Sequence, residues 1–264
     1  MNDVNKTLYI PLYGKSYVSK KGIILEDKRA EEIWPKEAFE LKGKSKSKWL
    51  AYYMGMRSEV FDVWLRQKMN EIENAIIIHI GCGMDSRVER IGTRGHRWYD
   101  VDFPEVIGER RRYYEETEEY HMVASDARNK DWIQNLPKDN PAIIVMEGVS
   151  MYLTQEELGD LLSVLKNQLS SLYLLMDCYT IFAAKASKYK NPINDVGVTE
   201  VYGLDDSTIL QKVGVMFVKE HEMTPTYLIN ELKGIEKSVF KKLYAGRIAK
   251  KMYRLYEYAY GKEI

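Results

Sequence analysis

Residues 76–87 read IIIHIGCGMDSR. Four isoleucines and a histidine lead straight into Gly81-Cys82-Gly83, and Met84, Asp85, Ser86 and Arg87 follow. A run this apolar fits a strand covered on both faces. Glycine reaches backbone conformations closed to other residues and lets peptide N–H groups lie against a ligand with no Cβ between them. A tight turn and a ligand-binding loop both fit that description, so the neighbouring sequence has to decide between them.

Apolar, β-rich runs recur downstream, at residues 96–101, 120–124, 142–146, 172–176 and 213–219, after a first at 75–80. Helical stretches separate them. Residues 105–118 follow Pro104, a favoured first-turn residue. Residues 154–169 open with TQEEL, where Thr154 can cap and Glu157 stands three residues on as its capping-box partner. Strands alternating with helices predict βαβ units and a parallel sheet. Residues 1–70 read as mostly helical, with SKWLAYYMGMRSEVFDVWLRQKM the clearest helix. Near the far end a basic helix gives way at about Met252 to the alternation YRLYEYAY, which reads as a closing strand.

The glycines therefore stand at the carboxyl end of a strand, where open α/β sheets bind ligands. Asp102 lies nineteen residues beyond Gly83, at the end of the next strand. A carboxylate there is placed to accept hydrogen bonds from a ribose diol, as in a nucleoside-binding βαβ unit. The dinucleotide fingerprint asks for a third glycine where Ser86 stands, and Asp85 beside it would repel a pyrophosphate. That favours a nucleoside that carries positive charge and no phosphate, and S-adenosylmethionine is one. Asp126, just past the third strand, suits an adenine amino group. Glu147-Gly148 ends another apolar strand, where the bland alternative is a helix cap or loop contact.

Composition sets outer limits. The chain has 264 residues, 45% of them apolar, with 39 basic and 39 acidic side chains. No global field draws it to nucleic acid or to a membrane surface. Two cysteines and four scattered histidines exclude a disulfide framework and argue against zinc. The N-terminus reads as no signal peptide, and no apolar run approaches a membrane span, so a cytoplasmic protein is expected. The lysine-rich KGKSKSK at 42–48 reads as a solvated loop.

Six ordered blocks carry a resemblance over nearly the whole length. They are TLYIPLYGKSYVSKKGIILEDKRAEEI, GMRSEVFDVWL, IGCGMDSRVERI, WYDVDFPEVIGERR, DWIQNLP and MEGVSMYLTQEEL. With them the chain resembles the leucine carboxyl methyltransferase-like family, in particular its bacterial tetracenomycin-polyketide-type O-methyltransferase branch. The resemblance implies a class I methyltransferase fold of the α/β, Rossmann-like kind. Its mostly parallel seven-stranded sheet carries helices on both faces. It implies one domain over 1–264, with a helical N-terminal lid at 1–70, a core at 71–264 and a helical insertion around 178–212.

It also implies S-adenosylmethionine as methyl donor. Gly81, Cys82 and Gly83 would line its methionyl and ribose side. Asp102 and Phe103 would hold the ribose, Asp126 and Ala127 the adenine, and Glu147 and Gly148 the amino group. Arg57 would pair with the methionyl carboxylate, where a guanidinium offers a bidentate fork. An acid often precedes the first glycine by two residues in such enzymes; here that residue is His79. Lys20 and Lys21 stand where relatives often carry arginines, and a lysine keeps the charge without the fork.

The implied reaction is methyl transfer to an oxygen, carboxylate or hydroxyl, of a small molecule. A carboxylate acceptor needs no base and a phenol profits from one; His121 and His221 qualify by residue type alone. Tyr13, Tyr17, Tyr152 and Tyr179 are candidates for an aromatic acceptor pocket. Two alternatives share the same sheet: a nucleoside-binding module without chemistry, and an NAD-dependent oxidoreductase.

Overall fold

The computed structural model describes residues 6–190, 200–246, 249 and 251–261, with the side chains of 188–190 excepted. The N-terminal part holds helices α1 (Tyr9–Lys20), α2 (Lys28–Ile33) and α3 (Lys48–Glu71). Then come β1 (Ile76–Ile80), α4 (Arg87–Ile91), β2 (Trp98–Asp102), α5 (Pro104–Arg110), β3 (Tyr120–Ala124) and β4 (Pro141–Met146). Helix α6 (Gln155–Gln168), β5 (Ser171–Tyr179), α7 (Ile181–Lys190), β6 (Met216–Glu220), α8 (Thr226–Ile229), α9 (Gly234–Leu243) and β7 (Tyr253–Tyr260) complete the order.

The seven strands form one sheet in the order β3-β2-β1-β4-β5-β7-β6. The first five run parallel and β7 lies antiparallel between β5 and β6. Strand order reverses between β1 and β4, whose last residues, Ile80 and Met146, are partners. That reversal opens a crevice at the carboxyl edge, where the two neighbouring connections leave in opposite directions. The alternation of strand side chains divides the core in two. Ile77 joins the layer built with α1 and α3, and Ile76, Ile78 and Ile80 join the layer built with α6. The capping box of Thr154 and Glu157 forms as the residue types require. Residues 253–260 are the closing strand, and Tyr258 is fully buried in it.

The N-terminal helices form part of the core. Val18 and Ile33 are fully buried, and α1 crosses α3 closely because both helices spend glycines at the crossing. A Cβ on Gly14 would come within 2.8 Å of the Met54 Cβ, and one on Gly55 within 2.8 Å of the Val18 Cγ2.

The strand expected over 172–176 runs on to Tyr179, and three further boundaries move, each for a tertiary reason. The helix expected over 105–118 stops at Arg110. The Arg110 guanidinium is fully buried against Asp100, the Tyr120 hydroxyl and the carbonyls of Gly83 and Asp85, and Tyr114 turns back to bond the Met84 carbonyl. Strand β2 begins at Trp98, two residues later than expected, because the His96 ring is held by the carbonyls of Ala75 and Met69. Strand β6 begins at Met216 because a 3₁₀ turn over Ile209–Val213 ends on Gly214 at φ 78°. Of the insertion expected around 178–212, α7 forms as a helix and residues 191–199 lie outside the described residues. Among the described residues no helix is long and apolar enough to cross a membrane.

Because α1 is seated on α3 through a backbone-to-side-chain contact, Gly55→Val is expected to destabilise the whole fold by about 1–3 kcal/mol through overpacking. Urea denaturation measures this. An unchanged midpoint would mean that the N-terminal layer is not part of the cooperative core.

Candidate active site

A cavity of about 520 Å³ opens at the carboxyl ends of β1, β2 and β4. Gly81, Cys82 and Gly83 line it after β1, and Asp102 and Phe103 after β2. Asp126 and Ala127 line it after β3, Glu147 and Gly148 after β4, and Arg57 reaches it from α3. All ten residues singled out in the sequence therefore face one space.

Register explains the convergence. Val101 is the partner of Ile80 and Asp102 of Ala124, so three strand ends stand side by side. The chain leaves β1 with Gly81 at φ +69°, and a Cβ there would overlap the Val149 side chain. That turn aims the Gly83 N–H at the Asp102 carboxylate, 2.7 Å away. The Asp102 carboxylate also accepts the Phe103 N–H at 2.7 Å. Burial nevertheless wins over these two donors and raises its pKa to about 6. Asp126, half-buried, takes the Arg128 N–H and guanidinium and is held below the usual carboxylate range.

Behind the β1 and β4 ends lies a buried lattice of ions. The Arg57 Nε donates to Glu147 at 3.0 Å and its Nη1 to Asp177 at 2.9 Å. Arg87 joins Glu147 to Asp62, and Arg90 joins Asp62 to Asp27 and Asp85. Lys15 of α1 closes the far side on Asp85 at 3.0 Å. Burial alone would raise the Glu147 carboxyl; Arg57, Arg87 and Lys15 outweigh it and hold it at about 2. Burial likewise opposes the Asp85 charge, and Arg87, Arg90 and Lys15 hold it well below the ordinary value. Asp177, with Arg57 as its cation, is raised by burial in spite of that guanidinium.

The lattice changes three expectations. Asp85 was expected to present a bare charge against a pyrophosphate; it lines the cavity, but three cations compensate it, so the residue alone is a weak argument against a dinucleotide. Glu147 is neither a cap nor a loop contact, since both its oxygens are taken by guanidiniums. His79, where an acid is common, lies between Asp100 (3.4 Å) and Arg87 (3.2 Å), and burial lowers its pKa. It is a neutral ring that accepts from Arg87.

The cavity's other half is apolar and aromatic. Tyr53, Tyr152, Tyr179 and Tyr253 line it with Met54 and Met252. Tyr179 and Tyr253 meet edge-on at 4.5 Å. Tyr13 and Tyr17 do not line it; Tyr13 packs against Trp34 at the end of α2, and Tyr17 against Tyr52 of α3. Lys21, which stands where relatives often carry an arginine, bonds Tyr52 and Glu236. His121 stacks on Tyr99 and His221 pairs with Glu257, both away from the cavity.

Sequence reasoning missed Lys15, Asp62, Arg87, Arg90 and Asp177 as members of this site. The available signal was a cluster of charges in stretches otherwise headed for the interior: DSRVER after an apolar strand, and MDCY at the end of one.

Residues 5–166, more than half of the chain, match the leucine carboxyl methyltransferase family. The chain is 26% identical over 186 residues to the tetracenomycin polyketide synthesis O-methyltransferase TcmP of Streptomyces glaucescens, a match covering 69% of each protein. It is 32% identical over 133 residues to the S-adenosyl-L-methionine-dependent methyltransferase dpfgK of Gibberella zeae, covering 47% of this chain and 45% of that relative. Magnesium protoporphyrin IX methyltransferase from Synechocystis PCC 6803, solved with bound SAH, superposes with a TM-score of 0.52 at 14% identity, covering 89% of this chain and 93% of that one. A DUF574 family protein from Streptomyces avermitilis gives 0.56 at 14% identity, covering 90% and 89%. At these identities the structural likeness speaks to the fold.

The β1 turn is the most constrained point of the site. Gly81→Ala puts a side chain into left-handed backbone and into Val149, and is expected to cost about 2–4 kcal/mol. Thermal unfolding measures it; a melting temperature equal to wild type would mean that the turn adjusts freely.

Proposed function

The chain belongs to the leucine carboxyl methyltransferase family and is an S-adenosylmethionine-dependent methyltransferase; from that premise we propose that it moves the methyl group to a carboxylate oxygen of a small, largely apolar acceptor. Family membership also sets aside the oxidoreductase and the non-catalytic module.

The cavity fits such a donor on its own chemistry. A glycine turn that tolerates no Cβ leaves bare backbone at the β1 end. A buried carboxylate stands nineteen residues on, and Arg57, Glu147 and Lys15 line the same space. Asp102 would accept the ribose hydroxyls, with Phe103 beside it, and Gly81, Cys82 and Gly83 would carry the ribose and methionyl chain. Asp126 and Ala127 would meet the adenine. Glu147 and Gly148 would face the ammonium group, and Arg57 the carboxylate through the N–H groups that Glu147 and Asp177 leave free. When bound, the donor supplies a methyl group already activated on a sulfonium.

The rest falls to positioning and exclusion of water. The N-terminal segment contributes Leu8, Ile10, Pro11 and Leu12 to the cavity wall and would act as the lid that keeps water out. The observation that carries the acceptor reading is the character of the aromatic half. Burial raises the hydroxyl pKa of Tyr53, Tyr152 and Tyr253, so they are neutral donors throughout the physiological range. Among the described residues lining the cavity the one imidazole is His79, on the donor side and engaged with Arg87. Such a pocket offers hydrogen bonds to an anion and no group to deprotonate a phenol. A carboxylate arrives ionised and needs none.

A screen of aromatic and aliphatic carboxylic acids beside matched phenols, read by S-adenosylhomocysteine release, tests this. Turnover is expected with acids, at a rate flat from about pH 7 to 9. Turnover restricted to phenols, rising with pH, would contradict it.

The donor half makes a separate pH prediction. The Asp102 carboxyl titrates at about 6 in the donor-free protein. Only its ionised form accepts two ribose hydroxyls, so binding favours loss of that proton. Donor affinity is therefore expected to be level above about pH 7 and to fall below pH 6, approaching ten-fold per unit. Calorimetry at several pH values measures the profile. Asp102→Asn should bind more weakly and lose the slope; an unaltered slope would remove Asp102 from the donor site.

A further inference from the structure

The ion lattice behind the cavity is not charge-balanced. Among the described residues four buried cations, Lys15, Arg57, Arg87 and Arg90, meet five buried carboxylates, Asp27, Asp62, Asp85, Glu147 and Asp177. The adjoining Asp100–Arg110 pair is balanced and His79 is neutral, so neither cancels the excess. Asp102 adds a further negative charge when ionised. The surplus falls on Asp27 and Asp177, each of which touches one shared cation. Glu147, Asp62 and Asp85 each touch two or three cations. Asp177 touches Arg57 alone, and Arg57 is shared with Glu147. Asp177 is fully buried, so water does not screen it, and its other oxygen takes the Gly148 N–H at 2.6 Å. It stands directly behind two groups that line the cavity, Arg57 and Gly148, without lining the cavity itself.

We propose that Asp177, as the under-compensated carboxylate that stands directly behind the cavity wall, makes the site distinguish S-adenosylmethionine from S-adenosylhomocysteine by charge. The inference rests on the donor reading above and goes beyond it. The donor carries one net positive charge at neutral pH, from carboxylate, ammonium and sulfonium. The demethylated product has lost the sulfonium and is neutral overall. Their adenosine and amino-acid portions are the same. Contacts to those portions therefore hold both molecules alike, and the fixed negative charge separates them. At an effective dielectric of about 20, a buried unit charge about 12 Å from the sulfonium would be worth about ten-fold in affinity. Binding the charged donor brings the pocket closer to neutrality, and transfer of the methyl group restores the excess. The same lattice thus holds the donor and loosens its grip on the product. Asp177 is a specificity-determining residue that touches neither ligand.

The test is the ratio of the two dissociation constants, measured by calorimetry on the full chain without acceptor. Asp177→Asn keeps an oxygen for the Gly148 N–H and removes the charge. It is expected to weaken S-adenosylmethionine relative to S-adenosylhomocysteine by about ten-fold. Asp177→Glu, which keeps the charge, should hold the wild-type ratio even if both ligands bind less well. Asp27→Asn removes a charge at the far end of the same lattice and should move the ratio the same way by less, which keeps the test open if the first variant does not fold. Equal weakening of both ligands in Asp177→Asn, or an unmoved ratio, would make Asp177 a structural residue only and overturn the inference, with the donor site intact. Failure of the wild-type protein to bind either ligand would overturn the donor reading itself.

Discussion

The Arg57 guanidinium is the point on which the rest of the structure turns. It comes from α3, in the N-terminal layer, and bonds Glu147 at the end of β4 and Asp177 near the end of β5. Arg87 and Arg90 extend the same network through Asp62 back to α3 and through Asp27 to α2. Lys15 ties α1 to the turn that follows β1. Removing one partner of such a buried pair leaves an uncompensated charge and costs about 3–5 kcal/mol. The lattice thus locks the N-terminal helices to the carboxyl edge of the sheet. It fixes the orientation of charged groups around the cavity before any ligand arrives.

Ligand geometry follows from that constraint and from strand register. The parallel pairing of β1 with both β2 and β4 brings Gly81, Asp102 and Glu147 to one edge, although they are far apart in the chain. On the proposed reading the polar, charged lining would take the donor, and the tyrosines and methionines the acceptor. A methyltransferase needs both halves: one to grip a charged nucleoside, one to hold the acceptor oxygen in line and dry.

Much of this was legible in the sequence because it depends on local pattern. The apolar run at 76–80, the capping box at Thr154 and Glu157, and the change of period at Met252 each encode their element within a few residues. The glycines and the acids at strand ends were legible because the position of a strand end follows from the run that precedes it. What stayed hidden is long-range. The register that joins α1 to the β1 turn leaves no local trace, so nothing singled out Lys15 among the lysines of the N-terminal segment, and Asp85 looked like a free charge. Arg110 ends its helix early because its partners lie on β2, on β3 and in the β1 turn, and helix propensity over 105–118 carries no sign of them. Tyrosine residues illustrate the same limit: Tyr152 and Tyr179 reach the cavity and Tyr13 and Tyr17 do not, although composition treats them alike.

The central claim is that the carboxyl edge between β1 and β4 is a donor site for S-adenosylmethionine. A crystal structure of the full chain grown with S-adenosylhomocysteine tests it most directly. The account predicts one nucleoside per chain, its ribose diol on the Asp102 carboxylate, its adenine beside Asp126 and Ala127, and its amino-acid tail toward Arg57 and Glu147. Density for the nucleoside at another place on the chain, with the Gly81–Gly83 turn and Asp102 untouched, would contradict it.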